Sequence, residues 1–108
     1  MPRIARLIST FKKDEVNHIF KSPDKKIKTE WFDILLAPKN QEFGRILVIT
    51  SRKIGNSPKR NQLRRRLKSI FYEHKLFNLT FDCIVIAKKD AINLSFEELK
   101  NILISALK

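Results

Sequence analysis

Apolar residues recur along the chain in two spacings, one typical of strands and one typical of helices. Short runs rich in β-branched residues occupy residues 27–37, 43–51 and 81–88, and each predicts a β-strand. Pro38 ends the first run, and the short turn after it predicts that the first two strands form an antiparallel hairpin. The third run has so many successive apolar positions that it predicts a strand with a parallel neighbour.

Two other segments carry apolar residues at helical spacing. Thr10 is placed to cap a first helix that ends near residue 20. Asn56 or Ser57 is placed to cap a second helix, which runs to residue 72 or 74 with Pro58 in its first turn. The apolar positions of this second helix form one core-facing stripe: Leu63, Leu67, Ile70 and Phe71.

A last helix is predicted from a capping box, in which Ser95 is followed three residues later by Glu98. Its predicted stripe is Phe96, Leu99, Ile102, Leu103, Ala106 and Leu107. The order helix, strand, strand, helix, strand, helix predicts an α+β domain, a small mixed β-sheet with helices packed mainly on one face. The 108 residues suffice for one core, so we predict a single domain over residues 1–108.

Composition narrows the class of protein. Cys83 is the only cysteine, which excludes a disulfide within the chain and predicts a reducing, cytoplasmic location. The first residues lack the apolar stretch of a signal peptide, and the longest apolar runs are far shorter than a membrane span. His18, His74 and Cys83 match no zinc-binding spacing, and no pattern of a catalytic nucleophile is present.

The charge is large and unevenly placed. The chain has 23 Lys and Arg against 11 Asp and Glu, a formal net charge of +12 that attracts polyanions. Residues 43–72 contain nine of these cations and no carboxylate. Like charges one helical turn apart are mildly destabilising, so an outside anion would offset them, and phosphate is the natural candidate. We call these nine residues the basic block: Arg45, Arg52, Lys53, Lys59, Arg60, Arg64, Arg65, Arg66 and Lys68.

The second helix turns most of this block into one predicted surface. At 100° per residue, with the apolar stripe inward, the positions that point most directly outward are Asn61, Arg65, Lys68 and Tyr72. Arg60 and Arg66 lie nearer the buried edges, where their stems can pack. The helix N-terminus lies next to Lys53 and is suited to a phosphate. A solvated basic face without a ligand is the alternative interpretation.

The turn and the helix together resemble the signature of the bacterial ribonuclease P protein family. That family has a Lys-hydrophobic-Gly-Asn turn followed by an Arg-Asn-Arg motif. Here the turn runs from Lys53 to Asn56, and the motif is Arg60-Asn61-Gln62. Gln62 departs from the family arginine, so one RNA contact is weakened or supplied by a neighbour. Residues 16–21, 81–88 and 94–99 also resemble family segments, in the same order.

This resemblance implies a fold and a function. The fold has a four-stranded sheet in which the basic helix lies in a left-handed β-α-β crossover, an exception to the usual right-handed rule. The implied function is to bind the catalytic RNA of ribonuclease P and the 5′ leader of precursor tRNA, which the holoenzyme removes by Mg²⁺-dependent hydrolysis. The RNA carries the catalysis and binds Mg²⁺, so no catalytic or metal-binding residue is assigned to the protein.

The resemblance also assigns two sets of binding residues. The cleft set lies between the first helix and the open face of the sheet and contacts the single-stranded leader: Val16, Phe20, Phe32 and Ile34, with Trp31 as a further aromatic. Aromatic side chains suit unpaired bases, although core packing is the alternative for Phe32 and Ile34. The set that faces the catalytic RNA is Arg52, Lys53, Asn56, Lys59, Arg60, Asn61, Arg64, Arg65 and Lys68.

Two functions of other kinds remain open at this point. A ribosome-associated RNA-binding module would share the basic helix but would lack the leader cleft. A peripheral membrane-binding domain would need large exposed apolar residues beside the basic face.

Overall fold

The computed structural model describes residues 11–39, 42–79 and 81–107. Three helices and four strands follow one another in the order α1 (Lys13–Lys21), β1 (Lys25–Lys28), β2 (Phe32–Pro38), β3 (Ile46–Ile49), α2 (Ser57–Glu73), β4 (Phe81–Ala87) and α3 (Phe96–Leu107). Short 3-10 turns occupy Arg52–Ile54, Leu76–Asn78 and Lys89–Asn93. The predicted α+β class is confirmed. In the described ranges, no helix is both long and apolar enough to cross a membrane.

The four strands form one sheet in the order β1-β2-β4-β3. β2 is antiparallel to both β1 and β4, whereas β3 and β4 are parallel. The predicted parallel neighbour of the third apolar run is therefore confirmed. The predicted hairpin between the first two runs is wrong, because β4 lies between β2 and β3. β2 pairs instead with β1, a strand with the sequence Lys-Lys-Ile-Lys that an apolar pattern does not detect.

The hand of the β3-α2-β4 connection follows from one backbone hydrogen bond. Cys83 of β4 faces α2, and its amide donates to the carbonyl oxygen of Arg45, 2.8 Å away. When both strands point up and α2 is in front, an L-residue whose side chain faces the viewer directs its amide to the right. β3 therefore lies to the right of β4, and the chain crosses from right to left. This is the rare left-handed crossover, as the resemblance implies.

The helices cover the two faces of the sheet unequally. α2 and α3 pack on one face over a large core, into which Phe32, Ile34 and Val85 point. The predicted stripe of α2 is confirmed, because all four of its members are buried. α1 packs on the opposite face, where Ile19 meets Leu35. Helices therefore lie mainly, but not only, on one face.

Side chains at the helix starts explain where the helices begin. The side-chain oxygen of Asn56 accepts from the amide of Lys59 at 3.1 Å, so Asn56 is the cap of α2. The capping box of α3 is confirmed, with the Ser95 hydroxyl accepting from the amide of Glu98 at 3.1 Å. The predicted cap Thr10 lies outside the described residues, and α1 begins after Lys12.

One member of the predicted stripe of α3 is placed differently. Leu99, Leu103 and Leu107 are buried, but Phe96 at the start of the helix is 38% exposed. The first residue of a helix lies beside the preceding turn rather than over the sheet, so helical spacing alone assigned Phe96 to the core too readily.

Candidate nucleic-acid interface

The segment between β3 and α2 holds the start of the basic helix in place. Ile54 is buried and anchors the 3-10 turn, in which Arg52 and Lys53 are exposed. A Cβ on Gly55 would lie 2.8 Å from Cδ1 of Ile92, so glycine allows the close approach of this turn to the Lys89–Asn93 turn. The backbone thus presents two predicted RNA-facing cations immediately before the N-terminus of α2.

Most of the exposed side chains of α2 lie within its first nine residues. Ser57, Pro58, Lys59, Asn61, Gln62 and Arg65 line a shallow groove along the outer side of the helix. The outward positions predicted for Asn61 and Arg65 are confirmed by their exposure. Lys68 and Tyr72 are only half-buried rather than fully outward, and the Tyr72 ring stacks on Phe77 with ring centroids 5.8 Å apart.

Two guanidinium groups on α2 are held by neutral oxygens rather than by carboxylates. Arg64 donates from Nη1 to the hydroxyl of Thr50 at 2.6 Å and from Nη2 to the side-chain oxygen of Asn61. Arg60 donates from Nη2 to the hydroxyl of Ser57 at 2.9 Å, while its buried Nε has no hydrogen-bond partner among the described residues. Such bonds orient the guanidinium groups and leave their charges uncompensated, as a phosphate-binding surface requires.

One member of the basic block is not part of this surface. Arg45 is 1% exposed and forms ion pairs with Glu15 at 2.6 Å and Asp82 at 2.7 Å. In the part of the chain that the structure describes, it is the only member of the basic block paired with a carboxylate. Removing Arg45 from the nine cations leaves eight without such a partner, all on the Arg52–Ile54 turn or on α2.

The assignment of β2 side chains to the leader cleft is wrong for two residues. Phe32 and Ile34 are 1% and 0% exposed and lie in the core beneath α2 and α3, on the face opposite α1. Trp31 also packs against that core. Successive side chains alternate between the faces of a strand, so an offset of one residue moves the whole set to the other face. The side chains of β2 that lie under α1 are Leu35 and Ala37.

The other two cleft residues lie on α1 as predicted. Val16 is half-buried against the sheet face that α1 covers, and Phe20 is 44% exposed. Phe20 lies one helical turn after Val16 on α1. The structure places Val16 with three half-buried aliphatic side chains that were not predicted as site residues: Leu47 and Ile49 of β3 and Ile86 of β4. Their alternation with Ile46, Val48 and Val85 was the available signal.

The far edge of the same face is basic. Lys26 and Lys28 of β1 pair with Leu35 and Asp33 of β2, and directly opposed residues of neighbouring strands share a face. Both lysines are exposed. The cleft therefore has an aliphatic floor, one exposed aromatic ring on α1 and a cationic edge strand. We call this surface, made of Val16, Phe20, Lys26, Lys28, Leu47, Ile49 and Ile86, the α1 cleft.

The single cysteine belongs to neither surface. Cys83 is buried beneath α2, and burial, together with the charge of Asp82, raises the pKa of its thiol. A neutral, inaccessible thiol is a packing residue rather than a nucleophile.

Comparison with known proteins identifies the relatives of this chain. The family model described as Ribonuclease P matches residues 1–108. The ribonuclease P protein component of Bacillus pumilus is 36% identical over 91 residues, covering 82% of this chain and 76% of that protein. That of Citrifermentans bemidjiense is 32% identical over 81 residues, covering 75% and 70%. The RNase P protein of Staphylococcus aureus superposes with a TM-score of 0.81 at 25% identity, covering 93% and 92%.

Proposed function

The chain belongs to the ribonuclease P protein family, and from that membership we propose that it binds both the catalytic RNA of ribonuclease P and the 5′ leader of precursor tRNA. The family name implies association with an endoribonuclease holoenzyme and with tRNA processing. We assign the two binding roles to two different surfaces. The eight surface cations of the basic block bind the catalytic RNA, and the α1 cleft binds the leader.

Binding of the catalytic RNA is supported by one observation, that the cations of α2 form no ion pair with a described carboxylate. A helix with cations one turn apart gains nothing from ion pairs along its own surface. In the described ranges, no carboxylate forms an ion pair with any of the eight. RNA phosphates would supply the missing anions, and their binding would release the condensed counterions of the RNA, which favours association.

Binding of the leader is supported by the chemistry of the α1 cleft. Single-stranded RNA offers base faces for stacking and a phosphate backbone for cations. Phe20 offers an exposed ring, and Lys26 and Lys28 lie at the far edge of the same face. With Val16, Leu47, Ile49 and Ile86 as the remaining apolar contacts, we expect this cleft to hold bases mainly by apolar contact and to have little preference among them.

We assign the hydrolysis to the RNA. The described residues include no group of three or more His, Cys, Asp or Glu side chains that could hold a metal ion. The donor set of the described residues therefore does not fit a Mg²⁺ site held by the protein alone. We propose that Mg²⁺ is bound mainly by RNA phosphates and that the protein works in the cytoplasm as an accessory subunit.

Reconstitution tests this function. The protein is mixed with a bacterial ribonuclease P RNA at low Mg²⁺, and removal of the 5′ leader from precursor tRNA is followed. We expect the protein to stimulate processing, because its cations reduce the requirement for Mg²⁺ in screening RNA phosphates. An Arg65→Glu variant serves as the control and should stimulate less. Equal processing with and without the wild-type protein would contradict the proposal.

A further inference from the structure

Arg45 forms the centre of a buried charge cluster at one end of the sheet. It lies immediately before β3, and its backbone amide donates to Oδ1 of Asp82 on β4 at 2.9 Å. Its side chain donates to the same carboxylate from Nε at 3.3 Å and from Nη2 at 2.7 Å. These three bonds, one from the backbone and two from the guanidinium, fix Arg45 against β4. They also leave Nη1 and Nη2 of the guanidinium directed at α1.

Glu15 of α1 accepts hydrogen bonds from these two atoms. Nη1 and Nη2 of Arg45 donate to its two carboxylate oxygens at 3.1 and 2.6 Å, the paired geometry that makes Arg-carboxylate contacts strong. The ring of Phe11 lies over the guanidinium with its centroid 4.3 Å from Cζ. Burial by itself lowers the pKa of Arg45, but hydrogen bonds and charges from Glu15 and Asp82 outweigh it and raise the pKa above its usual value.

The rest of the attachment of α1 to the sheet is thin. The helix has nine residues, a length that is marginally stable on its own in water. Ile19 is its only buried residue, whereas Val16 is half-buried and Phe20 is largely exposed. The paired contact between Glu15 and Arg45 is therefore a major part of what fixes the helix over the sheet. Glu15 immediately precedes Val16, so a shift at this contact moves the wall of the α1 cleft.

We propose that Arg45 is a positioning residue, which holds α1 at a fixed place above the sheet through Glu15 and thereby sets the shape of the α1 cleft. The part concerning the leader rests on the proposed function. The cluster also keeps two carboxylates away from the leader phosphates, because Arg45 occupies the oxygens of both. Arg45 contacts neither RNA nor any reacting group. The eight surface cations of the basic block bind the catalytic RNA independently of this contact.

Two variants break the contact in different ways. Glu15→Ala removes the carboxylate, together with the bond that it accepts from the amide of Lys12 at 2.9 Å. Arg45→Lys keeps the charge beside Asp82 and leaves that capping bond intact, but an ammonium group cannot form the two-pronged contact. Asp14→Ala is the matched control, since it removes an exposed carboxylate from the same turn of α1.

The first measurement is amide hydrogen exchange of α1 in the free protein. Glu15→Ala and Arg45→Lys should speed exchange in residues 15–21 and leave α2 and α3 unchanged, whereas Asp14→Ala should match the wild type. Unchanged exchange in α1 would overturn the positioning role, whatever the protein binds. This readout requires no RNA, so its failure is distinct from failure of the proposed function.

The second measurement compares precursor tRNA with mature tRNA as ligands of the reconstituted holoenzyme. Both test variants should lose on the order of tenfold of the preference for the precursor, because small displacements of binding groups have effects of this size. Their affinity for the catalytic RNA should stay within about twofold of the wild type, since they leave the basic helix intact. Faster exchange in α1 with a full precursor preference would overturn the link between Arg45 and the cleft.

Discussion

Arg64 and Thr50 join the basic helix to the residue that follows β3, with Nη1 of the arginine donating to the threonine hydroxyl at 2.6 Å. Arg65, the next residue, is exposed and makes no ion pair with a described carboxylate. Two adjacent arginines of the same predicted set therefore have different roles. Under the proposed function both arginines bind the catalytic RNA, but only Arg64 also contributes to the fold through this contact.

This difference predicts different outcomes for two charge reversals. Arg65→Glu should weaken binding to the catalytic RNA by roughly tenfold or more, because one phosphate contact becomes a repulsion. Its free energy of unfolding should stay within about 0.5 kcal/mol of the wild type, as for most exposed positions. Arg64→Glu should weaken binding and also lower stability. Filter binding and urea unfolding give the two quantities.

Lys25→Glu is the control for these reversals. It makes the same change of charge on β1, at the edge of the sheet opposite β3. Loss of affinity equal to that of Arg65→Glu would mean that net charge, rather than the α2 surface (the eight surface cations of the basic block), governs binding.

Salt dependence measures how many phosphates the α2 surface contacts. If about six of its eight cations each neutralise one phosphate, the logarithm of the binding constant should fall by about four to five units per tenfold increase in salt. The titration should be made with the catalytic RNA at constant Mg²⁺. A slope near one would contradict a surface of this extent.

Local features of the fold could be predicted from the sequence, and features set by pairing could not. The stripe of α2 and the caps Asn56 and Ser95 depend on residues a few positions apart, so spacing alone finds them. The burial of Phe32 and Ile34 depends on which face of β2 meets which helix, and that is fixed by pairing with the distant β4. The left-handed crossover is likewise a property of strand order, which local pattern does not encode.

In the candidate site, too, local features could be predicted from the sequence and features set by distant contacts could not. Exposure of Asn61 and Arg65 followed from helical geometry, because both lie opposite a buried stripe on a single element. Arg45 was counted in the basic block because residues 43–72 contain no carboxylate. Its partners come from α1 and β4, 30 and 37 residues away. A charge in an acid-free segment can therefore be buried and paired through contacts that only the folded chain makes.

The two helix caps predict a separation of stability from RNA binding. Asn56→Ala and Ser95→Ala should each lower the free energy of unfolding by about 1 kcal/mol, because each leaves a helix N-terminal amide without its acceptor. Only Asn56→Ala should also weaken binding to the catalytic RNA, since Asn56 opens the basic helix and Ser95 opens α3. Equal losses of affinity in the two variants would show that stability alone controls binding.

The buried thiol predicts a loss of stability at alkaline pH. Burial raises the pKa of Cys83, so the unfolded chain ionises this group before the folded protein does. Its contribution to stability is therefore complete below the ordinary thiol pKa of about 8.5 and decreases as the pH rises above it, by about 1 kcal/mol between pH 8 and 9.5. Urea unfolding at the two pH values measures this loss.

Cys83→Ala is the control for the alkaline effect. It should be less stable than the wild type at both pH values because of the cavity that it leaves. It should also show a smaller decrease between the two, since the ionisable group is gone. An equal decrease in both proteins would assign the effect to other groups.

The two glycines predict unequal effects of the same added methyl group. A Cβ on Gly44 would lie 2.2 Å from the carbonyl oxygen of Phe81, a backbone atom at the start of β4. The amide of Gly44 also donates to the carbonyl oxygen of Phe77, in the Leu76–Asn78 turn, at 2.7 Å, so Gly44 cannot move away without losing this bond. Gly44→Ala should therefore destabilise the protein by about 2–4 kcal/mol.

At Gly55 the obstructing atom is Cδ1 of Ile92, the end of a flexible side chain, so Gly55→Ala should destabilise the protein by about 1 kcal/mol or less. If urea unfolding shows comparable losses of stability in the two variants, the backbone at the contact between Gly44 and Phe81 shifts as easily as the side chain of Ile92.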